Sequence, residues 1–85
     1  MEEFKYTVTD PEGIHARPAG GLVQLAKGFD SKITISAGAK NADAKRLFQL
    51  LEMGVKTGSE VTVTAEGSDE AASIAQLKEY LEANL

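Results

Sequence analysis

Short stretches with a two-residue periodicity alternate with stretches of three- and four-residue periodicity throughout this chain of 85 residues. Where apolar and polar residues alternate, a strand with one buried face is expected, whereas apolar residues three and four apart share one side of a helix. Glycine, proline and acidic residues separate these stretches. Their order predicts the elements β-α-β-β-α-β-α in a single domain over residues 1–85, without linkers or repeats.

Three of the four predicted strands carry apolar residues at every second position. The first strand is broken by the turn at 10–13, and the fourth lies between Gly58 and Gly67. Gly38 marks a tight hairpin from the second strand to a short third strand over Lys40–Asp43. The residues expected to face the core are Phe4, Tyr6 and Val8 in the first strand, Ile33, Ile35 and Ala37 in the second, and Val61, Val63 and Ala65 in the fourth.

Three helices are predicted between and after the strands. The first covers Ala16–Lys27 and ends at Gly28, and the second covers Ala44–Met53 and stops at Gly54. The segment Ser68-Asp69-Glu70 supplies an N-cap and a negative first turn to the third helix. The apolar face of this last helix comprises Ala71, Ile74, Leu77, Tyr80 and Leu81.

The connections between these elements define the expected fold class. Right-handed crossovers place the helices on the same side of the sheet, and the other side is then left to the threonine-rich positions. The prediction is an α+β open-faced two-layer sandwich, in which a four-stranded antiparallel sheet carries three helices on one face. Gly20 and Gly21 leave the first helix nearly bare, and such a flat surface suits the docking of a protein.

Composition excludes several classes of function. The absence of cysteine rules out disulfides and thiolate metal sites. A net charge of −4 argues against a nucleic-acid partner. The acidic N-terminus and the short apolar runs predict neither a signal peptide nor membrane insertion, so a cytoplasmic protein is expected. Carboxylates are scattered and are interpreted as solvated surface without metal, cofactor or acid–base roles; they include Asp10, Asp30, Asp43 and Glu52.

The single histidine, His15, stands just before Pro18, which predicts the first turn of a helix. Unpaired backbone N–H groups and the helix dipole attract an anion such as phosphate to this position. The expected donors are the backbone of Ala16 and Arg17, together with the Arg17 guanidinium, which matches phosphoryl oxygens. Because the positive end of the dipole disfavours imidazolium, a neutral nitrogen is left to act as a nucleophile.

The run Gly13-Ile14-His15-Ala16-Arg17-Pro18-Ala19 carries a resemblance to a known family, together with Ala44-Lys45-Arg46-Leu47-Phe48 and the glycines that flank the fourth strand. From Phe4 to Leu81 the chain resembles HPr, the histidine-containing phosphocarrier family of the bacterial phosphoenolpyruvate:sugar phosphotransferase system.

This resemblance implies that His15 accepts a phosphoryl group at Nδ1, aided by Arg17 and Pro18. The donor would be phosphorylated enzyme I, and the acceptors would be the A components of sugar-specific enzyme II permeases, for coupled sugar uptake and phosphorylation. It implies a monomeric, stoichiometric carrier without a cofactor rather than a self-contained enzyme.

The resemblance also implies a docking surface on the exposed faces of the first two helices. Leu47, Phe48 and Leu51 would form its apolar centre, ringed by basic residues that attract acidic partners. Phe48 is the stronger candidate for an exposed anchor, whereas Leu47 and Leu51 are either docking or core residues. The expected partner-binding residues are Ala16, Gly20, Gln24, Lys27, Lys45, Arg46, Leu47, Phe48, Gln49 and Leu51.

Two positions depart from the family pattern. Arg46 replaces a serine that an ATP-dependent kinase phosphorylates in many relatives, so this regulation is not expected and Arg46 instead adds charge to the docking surface. Glu12 stands where relatives have asparagine or serine. Its charge would either favour the imidazolium of His15 or repel the phosphoryl group, unless the side chain points away.

Two alternatives belong to other functional classes. A regulatory paralogue, for example of a nitrogen-related phosphotransferase branch, would act mainly by binding proteins. An RNA- or ligand-binding domain of similar topology is disfavoured by the acidic charge and the lack of exposed aromatic pairs on the strands.

Overall fold

The computed structural model describes all 85 residues and confirms the predicted order of elements and the α+β open-sheet fold. No helix in it is long and apolar enough to cross a membrane. In chain order the elements are β1 (Glu2–Thr7), α1 (Ala16–Lys27), β2 (Lys32–Ala37), β3 (Lys40–Asp43), α2 (Leu47–Glu52), β4 (Glu60–Glu66) and α3 (Glu70–Asn84).

The four strands form one antiparallel sheet in the order β1-β4-β2-β3. β4 pairs with β1 from Glu2↔Ala65 to Thr7↔Glu60, and it pairs with β2 on its other side. β2 and β3 form the predicted hairpin, whose turn contains Gly38 at φ +61°. This order places the first and third strands at the two edges of the sheet.

The core lies between the sheet and the three helices. Ile33, Ile35, Val61 and Val63 of the central strands are at most 1% exposed. The helices contribute leucines that are equally buried, namely Leu22, Leu50, Leu77 and Leu81. Burial of each such side chain contributes about 1.5–3 kcal/mol, and this packing fixes the start of α1 relative to the sheet.

The second helix is shorter than the predicted Ala44–Met53. Ala44 and Lys45 form a turn, Arg46 is the extended N-cap residue, and the helix begins only at Leu47. The N–H of Ala44 donates to the Ile33 carbonyl at 3.0 Å, and the Asp43 carboxylate accepts the N–H of Lys45 at 2.9 Å. These bonds satisfy the backbone in a non-helical conformation, so the apolar periodicity overestimated the helix.

The first strand also differs from the prediction, because it begins at Glu2 and ends at Thr7, one residue before Val8. Val8 is nevertheless 1% exposed and belongs to the core, as expected. Its N–H donates to the Ser59 carbonyl at 2.9 Å, outside the register of β1 and β4.

The start of α3 corrects two expectations. Asp69 occupies the N-cap position without a side-chain capping bond. Its carboxylate instead accepts the N–H groups of Asp30 and Ser31, both at 2.9 Å, and the Ser31 hydroxyl. Ala71 is exposed, whereas Ser73 is buried and donates its hydroxyl to the Glu70 carbonyl at 2.9 Å. The N-cap aspartate therefore joins α3 to the loop before β2.

Candidate functional site

His15 is the N-cap residue of α1 and adopts an extended backbone conformation. The N–H of the preceding residue, Ile14, donates to the Val55 carbonyl at 3.1 Å. Gly13, at φ +68°, passes so close that an added Cβ would lie 2.2 Å from the same carbonyl oxygen. Only glycine tolerates both the positive φ and this close approach, so the loop is held against Val55 and Lys56 with His15 at the start of the helix.

The first turn of α1 offers an unoccupied set of donors. The backbone N–H groups of Ala16 and Arg17 have no hydrogen-bond partner within the protein, and no side chain caps the helix. The first turn contains no acidic residue. Arg17 is exposed, and it is absent from the protein's ion pairs. The positive end of the helix is therefore available to an external anion.

His15 opens onto a shallow cleft of about 210 Å³. The side chain of His15 is 26% exposed, so a ring nitrogen is accessible without being fully solvated. The cleft is lined by Asp10, His15, Arg17, Pro18, Tyr80 and Asn84. A partner that presents a phosphoryl group at its surface can reach this site, since the cleft is open to solvent.

Each ring nitrogen of His15 faces a carboxylate. Asp10 Oδ2 lies 3.4 Å from Nε2, and Glu12 Oε2 lies 3.3 Å from Nδ1. The expectation that Asp10 is an isolated surface carboxylate is therefore wrong, and Glu12 does not point away from the ring. The turn at 10–13 folds both carboxylates back onto a histidine that the sequence separates from them by five and three positions.

The two carboxylates are held differently. Asp10 Oδ1 accepts the N–H of Glu12 at 2.8 Å, and the Asp10 side chain is 24% exposed. The Glu12 side chain is 72% exposed, and its one polar contact is with His15. The bond from the Glu12 N–H lowers the pKa of Asp10, and the nearby His15 and Arg17 act in the same direction. Asp10 is thus a fixed anion beside Nε2.

Asp10, Glu12 and His15 also form the one set of three metal-ligating side chains whose ligand atoms lie within 4.8 Å of one another. Exposed acidic groups commonly cluster in this way without an ion. The grouping corrects the expectation of scattered carboxylates. It matters because the two carboxylates face the two nitrogens of the imidazole.

Tyr80 links α3 to the first turn of α1. Its hydroxyl donates to the Pro18 carbonyl at 2.8 Å, and burial raises the pKa of that hydroxyl. An added Cβ on Gly21 would lie 2.2 Å from the Tyr80 hydroxyl oxygen, whereas one on Gly20 would meet nothing within 4 Å. Gly21 therefore makes room for Tyr80 and is not bare surface, and of the two glycines only Gly20 is open.

The predicted docking residues are not equally accessible. On and beside α1 the exposed ones are Ala16, Gln24 and Lys27, with Gly20 half-buried. Near α2 the exposed ones are Arg46, Phe48 and Gln49. Phe48 is 75% exposed, as expected for an anchor, whereas Leu47 and Leu51 are half-buried against the core. The apolar centre of this face is therefore chiefly Phe48.

The basic ring around Phe48 is smaller than predicted. Lys45 is half-buried, and its ammonium group donates to the Phe29 carbonyl at 2.8 Å. Arg46 lies 3.9 Å from the Asp43 carboxylate and is mostly exposed. Lys45 thus joins the turn before α2 to the loop before β2, and the charges left for a partner are Arg17, Lys27 and Arg46.

Sequence reasoning missed three residues of the cleft, which are Asp10, Tyr80 and Asn84. The periodicity predicts Tyr80 on the apolar face of α3 and indicates no role for Asn84. The one available signal was the turn sequence Asp10-Pro11-Glu12-Gly13, which folds its acidic side chains close to the residues that follow.

Comparison with known proteins gives a consistent result. A family model described as "PTS HPr component phosphorylation site" matches residues 2–83. The phosphocarrier protein HPr of Mycoplasma capricolum is 39% identical over 81 residues, which are 95% of this chain and 91% of that protein. A multiphosphoryl transfer protein of Xanthomonas campestris is 40% identical over 81 residues, and the chain spans only 10% of its length.

Solved structures extend the likeness to three dimensions. The histidine-containing phosphocarrier protein of a mycoplasma superposes with a TM-score of 0.94 at 36% identity, covering 96% of this chain and 93% of that one. The catabolite repression protein Crh of Bacillus subtilis, described as a domain-swapped dimer, has a TM-score of 0.79 at 34% identity. Its match covers 100% of this chain and 98% of the other.

Proposed function

Because the chain belongs to the HPr family of the phosphotransferase system, we propose that it carries a phosphoryl group on His15 between phosphorylated enzyme I and the A components of sugar-specific enzyme II permeases. The observation that supports this most strongly is the pairing of His15 with the unpaired N–H groups of Ala16 and Arg17. The nucleophile and the anion site lie on adjacent residues, so one phosphoryl group engages both.

The site suits temporary storage of the phosphoryl group. Phosphorylation places negative charge at the positive end of α1, where the two N–H groups and the Arg17 guanidinium stabilise it. Pro18 contributes no N–H, and its fixed φ favours the first turn that presents the donors. Because the cleft is shallow and solvent-accessible, these contacts remain modest, and the phosphoryl group can leave for the next protein.

Partner proteins are proposed to dock on the face of α1 and α2 around Phe48. This side chain is 75% exposed in a protein whose other large apolar residues are mostly buried. Arg17 and Lys27 in α1 and Arg46 at the start of α2 add positive charge to this face, although the whole chain carries −4. Such a face attracts acidic surfaces and offers an aromatic anchor at its centre.

A regulatory protein of the same family is the second candidate, and the structural match to Crh supports it. Under this alternative the unphosphorylated chain binds a target outside transport. We place the carrier function first because the anion site beside His15 has no use in a purely protein-binding role. As part of the same proposal, residues 1–85 act as one monomeric unit in the cytoplasm, and light scattering at working concentration tests the oligomeric state.

The carrier function is tested by incubation with phosphoenolpyruvate and purified enzyme I. We expect one phosphoryl group per chain in an acid-labile bond, and its release when a sugar-specific A component is added. His15→Ala should abolish labelling, whereas Lys78→Ala, an exposed change on α3, should leave it intact. Labelling that persists in His15→Ala would overturn the proposal.

The two candidate functions make different predictions for binding. Phosphorylated and unphosphorylated protein are immobilised separately, and the bound proteins are compared. The carrier function predicts recovery of enzyme I and permease components. A non-transport target retained only by the unphosphorylated form, together with no transfer to any A component, would favour the regulatory candidate.

A further inference from the structure

We propose that Asp10 is a positioning residue for His15: its carboxylate holds the proton on Nε2 and thereby leaves the Nδ1 lone pair free for phosphorus. This inference rests on the proposed carrier function and assigns a role to a residue outside the resemblance that identified His15. It follows from the carboxylates that face the two ring nitrogens.

Asp10 is the more constrained of the two carboxylates. Its N–H donates to the Leu85 backbone oxygen at 2.8 Å, and its carbonyl accepts the N–H of Gly13 at 2.9 Å. Its carboxylate is held through Oδ1 by the Glu12 N–H at 2.8 Å, which leaves Oδ2 to face Nε2 at 3.4 Å. A carboxylate fixed at this position can only accept, so it favours the tautomer of His15 that carries its proton on Nε2.

The separation of 3.4 Å is at the long end of hydrogen bonding. Bonds of this kind are often long in the absence of a partner and shorten in the reacting complex. Enzymes that use histidine as a base or metal ligand orient the ring in the same way, with a carboxylate on the nitrogen that does not react. Asp10 stands in that relation to Nδ1.

Glu12 has the opposite relation to the reaction. Its carboxylate lies 3.3 Å from Nδ1, on the path of an incoming phosphoryl group, but its side chain is 72% exposed. Nothing except the histidine holds it in place, so it can move into solvent when a partner docks. Its charge repels the phosphoryl group, whereas the charge of Asp10 acts on the far side of the ring.

The transfer step balances without a further reactant. The Nδ1 lone pair of neutral His15 forms the new P–N bond as the bond from phosphorus to the donor atom of enzyme I breaks, and that electron pair returns to the donor atom. The proton on Nε2 stays in place, so the phosphorylated ring carries a formal positive charge. The Asp10 carboxylate stabilises this charge, and the protonated ring remains a good leaving group for the next transfer.

Asp10→Asn and Glu12→Gln form a matched pair, because each removes one negative charge beside the same ring. The Asp10→Asn amide retains an oxygen that can accept the Glu12 N–H, so the turn is preserved. Its NH₂ group is a donor and therefore favours an Nε2 that carries no proton. Long-range ¹H–¹⁵N spectra of the neutral ring report the tautomer directly. We expect Nε2–H in the unsubstituted protein and in Glu12→Gln, and a shift toward Nδ1–H in Asp10→Asn.

Rates of phosphoryl acceptance from enzyme I provide the second readout. Asp10→Asn should lower the rate about 10-fold or more, as loss of an orienting carboxylate does elsewhere, while Glu12→Gln should leave it unchanged or raise it. Equal effects of the two changes on the rate would show that Asp10 acts only through its charge, and this would overturn the inference. The same tautomer in all three proteins would also overturn it. If no protein is phosphorylated the carrier function fails, and the spectra still decide whether Asp10 sets the tautomer.

Discussion

The N-terminal ends of α1 and α3 are both without a side-chain cap, but they differ in the acidic residues placed beside the positive end of the helix dipole. At α3, Glu70 lies in the first turn and accepts the N–H of Gly67 at 3.3 Å, while Asp69 accepts three hydrogen bonds from residues 30 and 31. At α1 the first turn has no acidic residue, and the N–H groups of Ala16 and Arg17 have no partner.

We propose that this difference separates a structural from a functional use of a helix N-terminus. The start of α3 carries negative charge from Glu70 in its first turn, and Asp69 ties α3 to the loop before β2. The start of α1 has no such charge and leaves its donors unpaired, and we propose that they bind a group that comes from outside. A helix end with unsatisfied donors contributes less to stability than it might, and at α1 that loss coincides with the one histidine. The following predictions test the separation.

The largest expected effect is on phosphoryl transfer at the start of α1. Arg17→Ala removes a guanidinium that contacts no carboxylate of the protein, so phosphoryl acceptance by His15 should fall about 100-fold. The free energy of unfolding should change by less than about 0.5 kcal/mol. Single-turnover labelling and urea unfolding measure the two quantities, and a loss of stability with normal transfer would reverse the assignment.

A change at the start of α3 should have the opposite effect, lowering stability and leaving phosphoryl transfer intact. Ser31→Ala removes a fully buried hydroxyl that donates to the Asp69 carboxylate. A hydrogen bond to a charged group contributes about 2 kcal/mol, so the free energy of unfolding should fall by about that amount. Transfer measured well below the unfolding temperature should be normal. If transfer is impaired in the folded variant, the two ends are coupled rather than separate.

A smaller effect is expected on docking. Phe48→Ala removes a side chain that is 75% exposed, so stability should be nearly unchanged. The KM for this protein in transfer from enzyme I should rise about 10-fold, since aromatic anchors typically contribute more than 1 kcal/mol to an interface. The same change at an exposed site away from α1 and α2, Lys78→Ala, is the control and should leave KM unaltered.

The smallest effect concerns pH. The pKa of Asp69 is lowered, first by the hydroxyl of Ser31 and then by the N–H of Asp30. Its contribution to stability is therefore complete above 3.8, the ordinary value for aspartate, and is lost as pH falls through the lower pKa of the folded state. In Asp69→Asn, the free energy of unfolding measured with urea should fall less steeply as the pH is lowered through this range. An unchanged slope would contradict the assigned hydrogen bonds.

Much of the fold followed from periodicity, because the central strands and the first helix bury residues at regular spacing. Ile33, Ile35, Val61 and Val63 lie in the core as predicted. The pattern failed where side chains bond to the backbone instead of continuing an element. Asp43 favours a turn at Ala44 and Lys45 that shortens α2, and Asp69 binds Ser31 instead of capping α3.

At the site, the sequence indicated the histidine and its donors but not the groups that face the ring. His15, Arg17 and Pro18 are neighbours in the chain, so their proximity needed no tertiary information. Asp10 reaches the ring through the turn at 10–13, and Tyr80 reaches Pro18 across a separation of 62 residues. Contacts of this kind depend on a turn geometry and a helix position that periodicity does not describe.

The central claim, that the start of α1 holds the phosphoryl group, is tested most directly by amide spectra before and after phosphorylation. The account predicts that the N–H resonances of Ala16 and Arg17 move strongly downfield when His15 is phosphorylated, as new bonds to the phosphoryl oxygens form. The N–H resonances of Asp30 and Ser31, which donate to Asp69 at the start of α3, should not move. Phosphorylation of His15 that leaves the resonances of Ala16 and Arg17 unchanged would contradict the account.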